Sequence, residues 1–299
     1  MGAAECCWLA LDFMDFDREA VARIQQAVAK SCRIPAAHIH VLTTHNHGAG
    51  SVEELDLDKV ARAAAAAARE GKSAAVPAWM RAAVTRLGEP LNCVRRFYVE
   101  ELAGCSTLYY GACASNGFDI SEFVKHQIHC LRERSELPYC GTSAEASRRV
   151  VPDPNTKTRL RPGDPAVAVF QFERENGSAI GTLCRFAAHA VCCNRPAYYS
   201  GDYPFYVRRR LRQALGGQAL FLNGPCAELA PAIRDKDCGE ARRIGEAVGR
   251  AAVRALAGVP ARPLARLDEG SREVELPIRD DLTGLEQAAC EAVGAPQCA

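Results

Sequence analysis

The sequence predicts an α/β fold, in which a mixed, largely parallel β-sheet forms the core and helices flank it. Three observations favour this class. An apolar run of strand length at residues 5–14 is followed by an amphipathic helical pattern, and a second apolar run occupies residues 39–44. Residues 166–173 alternate in polarity like a strand, and residues 179–188 return as its partner. Strand patterns interleaved with helical ones are typical of a sheet with helices packed on it.

The first helix is predicted to begin after Asp17, whose carboxylate can accept hydrogen bonds from the N–H groups of the first turn. Its apolar residues Val21, Ile24 and Val28 lie at i, i+3 and i+7, and the pattern ends near Cys32. A strand, a helix and a strand joined by short links form a βαβ unit. We therefore expect the two flanking strands to run parallel.

Two alanine-rich helices are predicted next, over residues 56–70 and 74–87, with Gly71 between them. Residues 100–150 show no clear periodicity. At 299 residues the chain can bury a sizeable core. We predict one α/β domain over residues 1–265, with an irregular insertion around 100–150, and a C-terminal extension over residues 266–299.

In the second half of the chain, Asn176-Gly177 is typical of a hairpin turn between the two alternating strands. Asp202 is predicted to cap a helix that runs to about residue 215. Residues 219–222 form a further buried strand, and residues 238–257 form a clear helix.

Composition excludes several classes of function. The net charge of +1 argues against nucleic acid or an anionic membrane surface as a partner, and no apolar tract reaches transmembrane length. The first residues lack the basic start of a signal peptide. Fifteen cysteines, an odd number, do not have the spacing of a disulfide scaffold. We interpret them as mostly reduced thiols and expect a cytoplasmic protein.

Two histidines follow the second strand directly. In VLTTHNHGAG, His45 and His47 lie at i and i+2, so both imidazoles would point to the same side if the strand continues. They would then stand at the carboxyl end of a parallel strand, where open α/β sheets gather their ligand sites. Two neutral imidazoles can bind Zn²⁺. The alternative is a pair of polar residues that bond to a turn.

His189 strengthens the metal hypothesis, because it ends a different strand of the same predicted sheet, in RFAAHA. A lone buried histidine is more often a core residue with satisfied hydrogen bonds. Three histidines that end strands of one sheet are less easily explained in that way.

Polar residues at neighbouring strand ends could complete such a site. We expect Asp202 and Asn223 to contact substrate, and Asp202 could also support a histidine N–H or cap its helix. Glu228, which follows the strand at residues 219–222, could act as general base or ligand, or be a solvated loop carboxylate. Arg148 and Arg149 could hold a substrate carbonyl or carboxylate, although surface arginines are common.

Several stretches of the chain, in order, resemble the neutral/alkaline non-lysosomal ceramidase family in its broader bacterial branch. They are LALDFMDFDREAVARIQQAV, IPAAHIHVLTTHNHGAG, SRRVVPDP, GTLCRFAAHAV, SGDYP and LFLNGPCAELAP, spread over most of residues 8–235. The resemblance implies an α/β core and zinc-dependent amide hydrolysis. It makes His45 and His189 zinc ligands, and His47 the neighbour that holds the substrate carbonyl or oxyanion. Arg148 or Arg149 falls near the family's substrate-contacting arginine.

The departures from the family are equally specific. Ceramidases carry an essential serine where this chain has Ala230. The family's remaining zinc ligands, a glutamate in a Pro-Gly-Glu stretch and a later tyrosine, have no match in residues 260–299, and its opening strands are missing. The chain therefore resembles a member shortened at both ends, which completes its site otherwise or no longer catalyses.

The leading hypothesis is a zinc-dependent hydrolase of an amide or related bond in a small or lipid-like substrate, and not a true ceramidase. Glu228 or Asp202, or a homo-oligomer or partner subunit, would complete its site. A second hypothesis is a catalytically inactive binding or scaffold protein that retains the fold. A third is a thiol enzyme using Cys226, for which an inert buried cysteine is the alternative.

Overall fold

The computed structural model describes residues 5–49, 56–99, 104–107, 117, 119–121, 160–193, 199–234, 237–264 and 274–275. The chain divides into two compact units, the first made of residues 1–93, 110–115 and 162–269, and the second of residues 94–109, 116–161 and 270–299. The single domain expected over residues 1–265 stays a prediction. Most of the expected insertion and of the expected C-terminal extension lies outside the described residues.

The helices of the described part are α1 (Arg18–Cys32), α2 (Leu57–Ser73), α3 (Asp202–Leu215) and α4 (Cys238–Leu256). None of them combines the length and the apolar character that crossing a bilayer requires. Asp17 caps α1 as predicted, since its carboxylate accepts a hydrogen bond of 2.7 Å from Ala20 N–H. The cap predicted for α3 is shifted by one residue, because Gly201 is the N-cap and Asp202 is the first helical residue.

The strands of the described part are β1 (Cys7–Leu11), β2 (Ile39–Thr43), β3 (Trp79–Arg86), β4 (Asn92–Val94), β5 (Arg96–Val99), β6 (Gly104–Thr107), β7 (Ala166–Glu173), β8 (Ala179–Phe186), β9 (Gln218–Asn223), β10 (Leu229–Pro231) and β11 (Arg262–Pro263). The largest sheet has the order β11-β3-β7-β8-β9. Strands β5 and β6, in the second unit, pair antiparallel.

The mixed α/β architecture is confirmed, and so is the first βαβ unit, in which β1 and β2 pair in parallel. Parallel pairing is less common than expected in the five-stranded sheet. Only β8 and β9 are parallel there, and every other pair is antiparallel. The reason is local: β7 and β8 are joined by the tight turn at Asn176-Gly177, and a turn of that length forces neighbouring strands to run in opposite directions.

The helix predicted over residues 74–87 is wrong. Residues 79–86 form β3, which pairs along its whole length with β7 and shows the alternating exposure of a strand from Arg81 onward. Alanine favours a helix by a fraction of a kcal/mol per residue, and a continuous antiparallel partner outweighs that preference. The neighbouring helix α2 continues through Gly71.

Two hydrophobic cores lie within the first unit. In one, α3 and α4 pack on the five-stranded sheet, with Tyr203, Phe186 and Phe221 among its fully buried side chains. In the other, α1 and the alanine face of α2 cover β1 and β2, around Ile24 and Ile39. The first core supports the ends of β8 and β9, and the second supports the end of β2.

Nine cysteines of the described residues form no disulfide bond, and the expectation that the thiols are reduced stays a prediction. Burial raises the pKa of the Cys184 thiol to about 12. The pKa of Cys193 is also raised to about 12, by burial first and then by a hydrogen bond with Cys238. These two thiols stay protonated at neutral pH and fill core space, so neither resembles a reactive thiolate.

Helices α3 and α4 touch through glycine. A Cβ added at Gly245 would lie 2.5 Å from the Cβ of Tyr206 and 2.6 Å from the carbonyl oxygen of Tyr203. At Gly249, one turn later, it would lie 2.8 Å from the Cβ of Arg210. The two backbones therefore approach more closely than any larger residue permits.

We expect Gly245→Ala to lower the free energy of unfolding by about 1–3 kcal/mol, because the added methyl group forces the two helices apart. The control is Gly71→Ala on α2, where nothing lies within 4 Å of the added Cβ. There the same substitution should raise the free energy by about 0.5–1 kcal/mol. Urea unfolding measures both, and a Gly245→Ala variant as stable as the wild type would contradict this helix contact.

Candidate metal centre

Three strands of the first unit end side by side. Strands β8 and β9 run parallel, with Phe186 opposite Asn223 at their carboxyl ends. Just beyond β2, Asn46 forms a parallel bridge with Ala190, which follows β8. Strand β2 pairs with β1 in a separate two-stranded sheet, so the expectation that the three histidines end strands of one sheet is wrong. The segments that follow β2, β8 and β9 nevertheless meet, through this bridge and the pairing of β8 with β9.

His45, His47 and His189 come together where these segments meet. The ring centroid of His45 lies 5.0 Å from that of His47 and 4.5 Å from that of His189. The centroids of His47 and His189 are 5.7 Å apart. His189 is buried, and the other two rings are half-buried. The sequence thus predicted correctly which histidines come together, while their roles stay predictions.

The backbone at His45 differs from the expected continuing strand. Strand β2 ends at Thr43, and His45 has a φ of 54°, in the left-handed region. That conformation costs a non-glycine residue about 1–2 kcal/mol. Hydrogen bonds on both sides hold it: Thr44 N–H donates to Leu11, and His47 N–H donates to Ala190. Such strain is concentrated at functional sites.

Hydrogen bonds to backbone carbonyls select the same tautomer in two of the histidines. Nδ1 of His45 lies 3.0 Å from the carbonyl oxygen of Met14, and Nδ1 of His189 lies 3.1 Å from that of Leu229. A carbonyl can only accept, so both Nδ1 atoms carry the hydrogen and both Nε2 atoms carry the lone pair. Metal-binding histidines in proteins are oriented by this type of bond.

Nε2 of His47 lies 3.4 Å from Nε2 of His45. Two nitrogens that bind one tetrahedral Zn²⁺ are about 3.3 Å apart, given zinc–nitrogen bonds of about 2.0–2.1 Å. The same separation also suits a weak hydrogen bond from one ring to the other. His47 thus stands beside the lone pair of His45, either as a ligand or as a neighbour of one.

Cys226 lies close to two of the histidines, His45 and His189. The ligand atoms of His45, His189 and Cys226 all lie within 4.8 Å of one another. Around zinc, an imidazole nitrogen and a thiolate sulfur are about 3.6 Å apart and two imidazole nitrogens about 3.3 Å, so each pair has to close by at most about 1.5 Å to hold the ion. Imidazole and thiolate are the donors that zinc prefers, so this donor set fits the metal that the sequence predicted.

The side chain of Asn223 connects the histidine-bearing segments. Its Nδ2 donates to the carbonyl oxygens of Thr44 and Ala188, both at 3.0 Å, and its Oδ1 accepts from Ala188 N–H at 3.4 Å. Thr44 precedes His45 and Ala188 precedes His189. One amide therefore sets the spacing of the two imidazoles. Its expected role in binding substrate stays a prediction.

Asp202 supports the site from behind. It is 1% exposed, and its carboxylate accepts bonds of 2.7 Å from Cys193 N–H and from Tyr203 N–H. Burial raises the pKa of this carboxyl, and those N–H donors oppose the rise. The hydroxyl of Tyr203 then donates to Ala188 at 2.7 Å, beside His189. In this position Asp202 anchors the chain that follows His189, and its expected contact with substrate stays a prediction.

The remaining predicted site residues are Glu228, Arg148 and Arg149. Glu228 is exposed in the turn between β9 and β10. Among the described residues, neither Glu228 nor Asp202 belongs to the group that could hold a metal. Arg148 and Arg149 lie outside the described residues. Sequence reasoning considered Cys226 as a nucleophile and missed it as a neighbour of the two histidines.

Two solved structures are similar to this chain in fold. One is a ceramidase complexed with C2, with a TM-score of 0.51 and 13% identity over 80% of this chain and 34% of that one. The other is a neutral ceramidase from Pseudomonas aeruginosa, with a TM-score of 0.50 and 14% identity over 80% of this chain and 35% of that one. The chain therefore has a ceramidase-like fold, and it spans about a third of the length of these proteins. No family model and no curated protein matches the sequence.

We expect Asn223→Ala to weaken metal binding at least tenfold, because loss of a residue that orients metal ligands typically costs 10–100-fold in affinity. It should also lower the free energy of unfolding by about 1–3 kcal/mol, since backbone groups lose a partner. Isothermal titration with Zn²⁺ and urea unfolding measure the two effects.

The matched control is Asn92→Ala. Nδ2 of Asn92 also donates to two backbone carbonyls, those of Asp164 and Ala187, and its side chain is buried. It does not bridge the two histidine segments, so it should lose comparable stability and much less metal affinity. Equal losses of affinity in both variants would show that Asn223 has no special role in placing the histidines.

Proposed function

We propose that this chain is a zinc-dependent hydrolase that cleaves an amide (C–N) or related bond in a small or lipid-like substrate. The observation that supports it most strongly is the pairing of His45 with His189. They come from different strands, a backbone carbonyl sets the tautomer of each, and their ligand nitrogens lie within 4.8 Å. The ceramidase-like fold adds support, since the sequence also resembles that family.

The residues that would hold zinc are His45 and His189. A bound zinc ion supplies a Lewis acid that polarises a carbonyl and makes a water molecule acidic near neutral pH. Side chains of the protein would carry out the remaining steps. The half-buried ring of His47, next to His45, would donate a hydrogen bond to the substrate carbonyl as negative charge develops on its oxygen.

Glu228 would serve as general base, because it is an exposed carboxylate in the same turn as Cys226. Arg148 or Arg149 would hold a polar group of the substrate, in line with the family's arginine. Asn223 would lie on the substrate side in addition to bonding to the backbone, whereas the buried Asp202 would act on substrate only through the chain segment after His189 that it anchors.

Ceramide itself is not the proposed substrate. Ala230 stands where the family's essential serine is expected, and it is 2% exposed. It carries no hydroxyl that could act on a bond. We therefore propose N-acyl amides and small esters as the first substrates to screen.

A catalytically inactive binding or scaffold protein is the second candidate. The observation that favours it is the absence of a carboxylate from the group of possible ligands in the described part of the chain. A homo-oligomer or a partner subunit could supply the missing ligand. A reducing compartment, the cytoplasm, would suit reduced cysteines in either candidate.

We expect the purified protein to contain about one zinc per chain, and His45→Ala and His189→Ala each to lose it, because each variant removes one of the proposed ligands. Elemental analysis after gel filtration measures the content. His38→Ala is the control: its Nδ1 bonds to the Glu5 carbonyl, at the other end of the sheet. Wild-type protein without zinc after zinc loading would leave the scaffold candidate.

His47→Ala should keep the zinc and lose activity. On a hydrolysed N-acyl amide we expect kcat to fall about 10²–10³-fold, the usual effect of removing one donor to a developing oxyanion. His40→Ala, on the strand that leads to the site, packs against Trp8 and should leave kcat unchanged. If His47→Ala loses zinc along with activity, His47 is a ligand, and its role as a donor to substrate fails.

A further inference from the structure

We propose that the thiolate of Cys226 is the third protein ligand of the zinc, so that this chain builds a two-histidine, one-cysteine site by itself. The inference rests on the proposed function and deepens it, since it names a third protein ligand for the zinc. It makes a partner subunit unnecessary for metal binding.

Cys226 and His189 lie close together just beyond the ends of two paired strands, with their ligand atoms within 4.8 Å of each other. Strands β8 and β9 are parallel, and Phe186 pairs with Asn223 at their ends. His189 and Cys226 each lie three residues beyond that pair. Gly224 N–H donates to the carbonyl of Phe186, which keeps the two segments together past the last strand pair.

One carbonyl fixes the cysteine turn to the histidine. Leu229 N–H donates to the carbonyl of Cys226 at 2.9 Å, which closes the turn. The carbonyl of Leu229 accepts both the N–H of His189, at 2.9 Å, and its Nδ1–H, at 3.1 Å. The group that orients the imidazole therefore belongs to the turn that carries the thiol. Neither can move far without the other.

The chemistry of the three donors agrees with a catalytic zinc site. Such sites use three protein ligands and leave a fourth position open, and a cysteine with histidine is among the known combinations. Soft thiolate and imidazole donors favour zinc over magnesium or calcium. With three ligands supplied in this way, His47 remains available beside the ion to contact substrate, as the proposed mechanism requires.

Cobalt substitution tests this proposal without any substrate. The full chain is loaded with Co²⁺ under reducing conditions, and its absorption is recorded. A cobalt–thiolate bond gives a charge-transfer band in the near ultraviolet, which cobalt bound only by histidine and water lacks. We expect this band at about one Co²⁺ per chain, its loss in Cys226→Ser, and its persistence in His47→Ala. The control Cys6→Ser, at the amino end of β1, should keep it.

Loss of the thiolate should also weaken zinc binding by at least tenfold, since loss of a residue that merely orients a ligand costs 10–100-fold. Cys226→Asp restores a ligand atom of another kind. It should recover part of the zinc affinity while the charge-transfer band stays absent. This variant keeps the test valid if Cys226→Ser does not fold.

The outcomes separate this inference from the function on which it rests. Cobalt bound through His45 and His189 without the thiolate band would overturn the role of Cys226 and leave the hydrolase proposal standing, with a ligand from elsewhere. No bound metal would overturn both. Two histidines and a cysteine also form the ligand set of blue-copper sites. Copper in place of zinc in protein purified without added metal would overturn the hydrolase; it would support Cys226 as a ligand only with the intense visible charge-transfer band of a copper–thiolate bond, and overturn that role without it.

Discussion

The candidate site depends on one constraint: the segments that follow β2, β8 and β9 have to be held together by a side chain. The amide of Asn223 does this, because its two hydrogens reach carbonyls that precede His45 and His189. A buried carbonyl without a partner costs about 1–3 kcal/mol, so these contacts contribute to folding as well as to placing the imidazoles. A substitution that removes these contacts is therefore expected to change both the placement of the histidines and the free energy of unfolding.

The surrounding contacts explain how the edge tolerates strain. His45 and Asp202 both have positive φ values without being glycine. Each is held by neighbours: His45 lies between bonded Thr44 and His47, and the carboxylate of Asp202 accepts two backbone N–H groups. Arg208 of α3 also pairs with Asp12, which accepts a bond from Thr44. A network of this kind can keep rings in place at a cost of a few kcal/mol, which suits a site that has to be preorganised.

Much of this could be predicted from the sequence, for a physical reason. The histidines follow apolar runs whose periodicity marks strands, and the carboxyl ends of strands are where α/β proteins gather their ligand sites, although β2 and β8 lie in different sheets. Sequence patterns predict the wrong element where local preference and tertiary pairing disagree. In β3 the alanines favour a helix, but all of its residues pair with β7. It also missed the place of Cys226, since a cysteine in a turn has no periodicity. Only the folded turn after β9 brings its ligand atom within 4.8 Å of those of His45 and His189.

If the proposed site holds zinc, each of its three ligands follows a core strand. A ligand one turn beyond a core strand is in place whenever the sheet folds. Cys226 is such a residue, because its turn is bonded to His189 through Leu229. A thiolate ligand would also bring one negative charge to a bound divalent ion. All three proposed donors, His45, His189 and Cys226, would then come from the ends of strands.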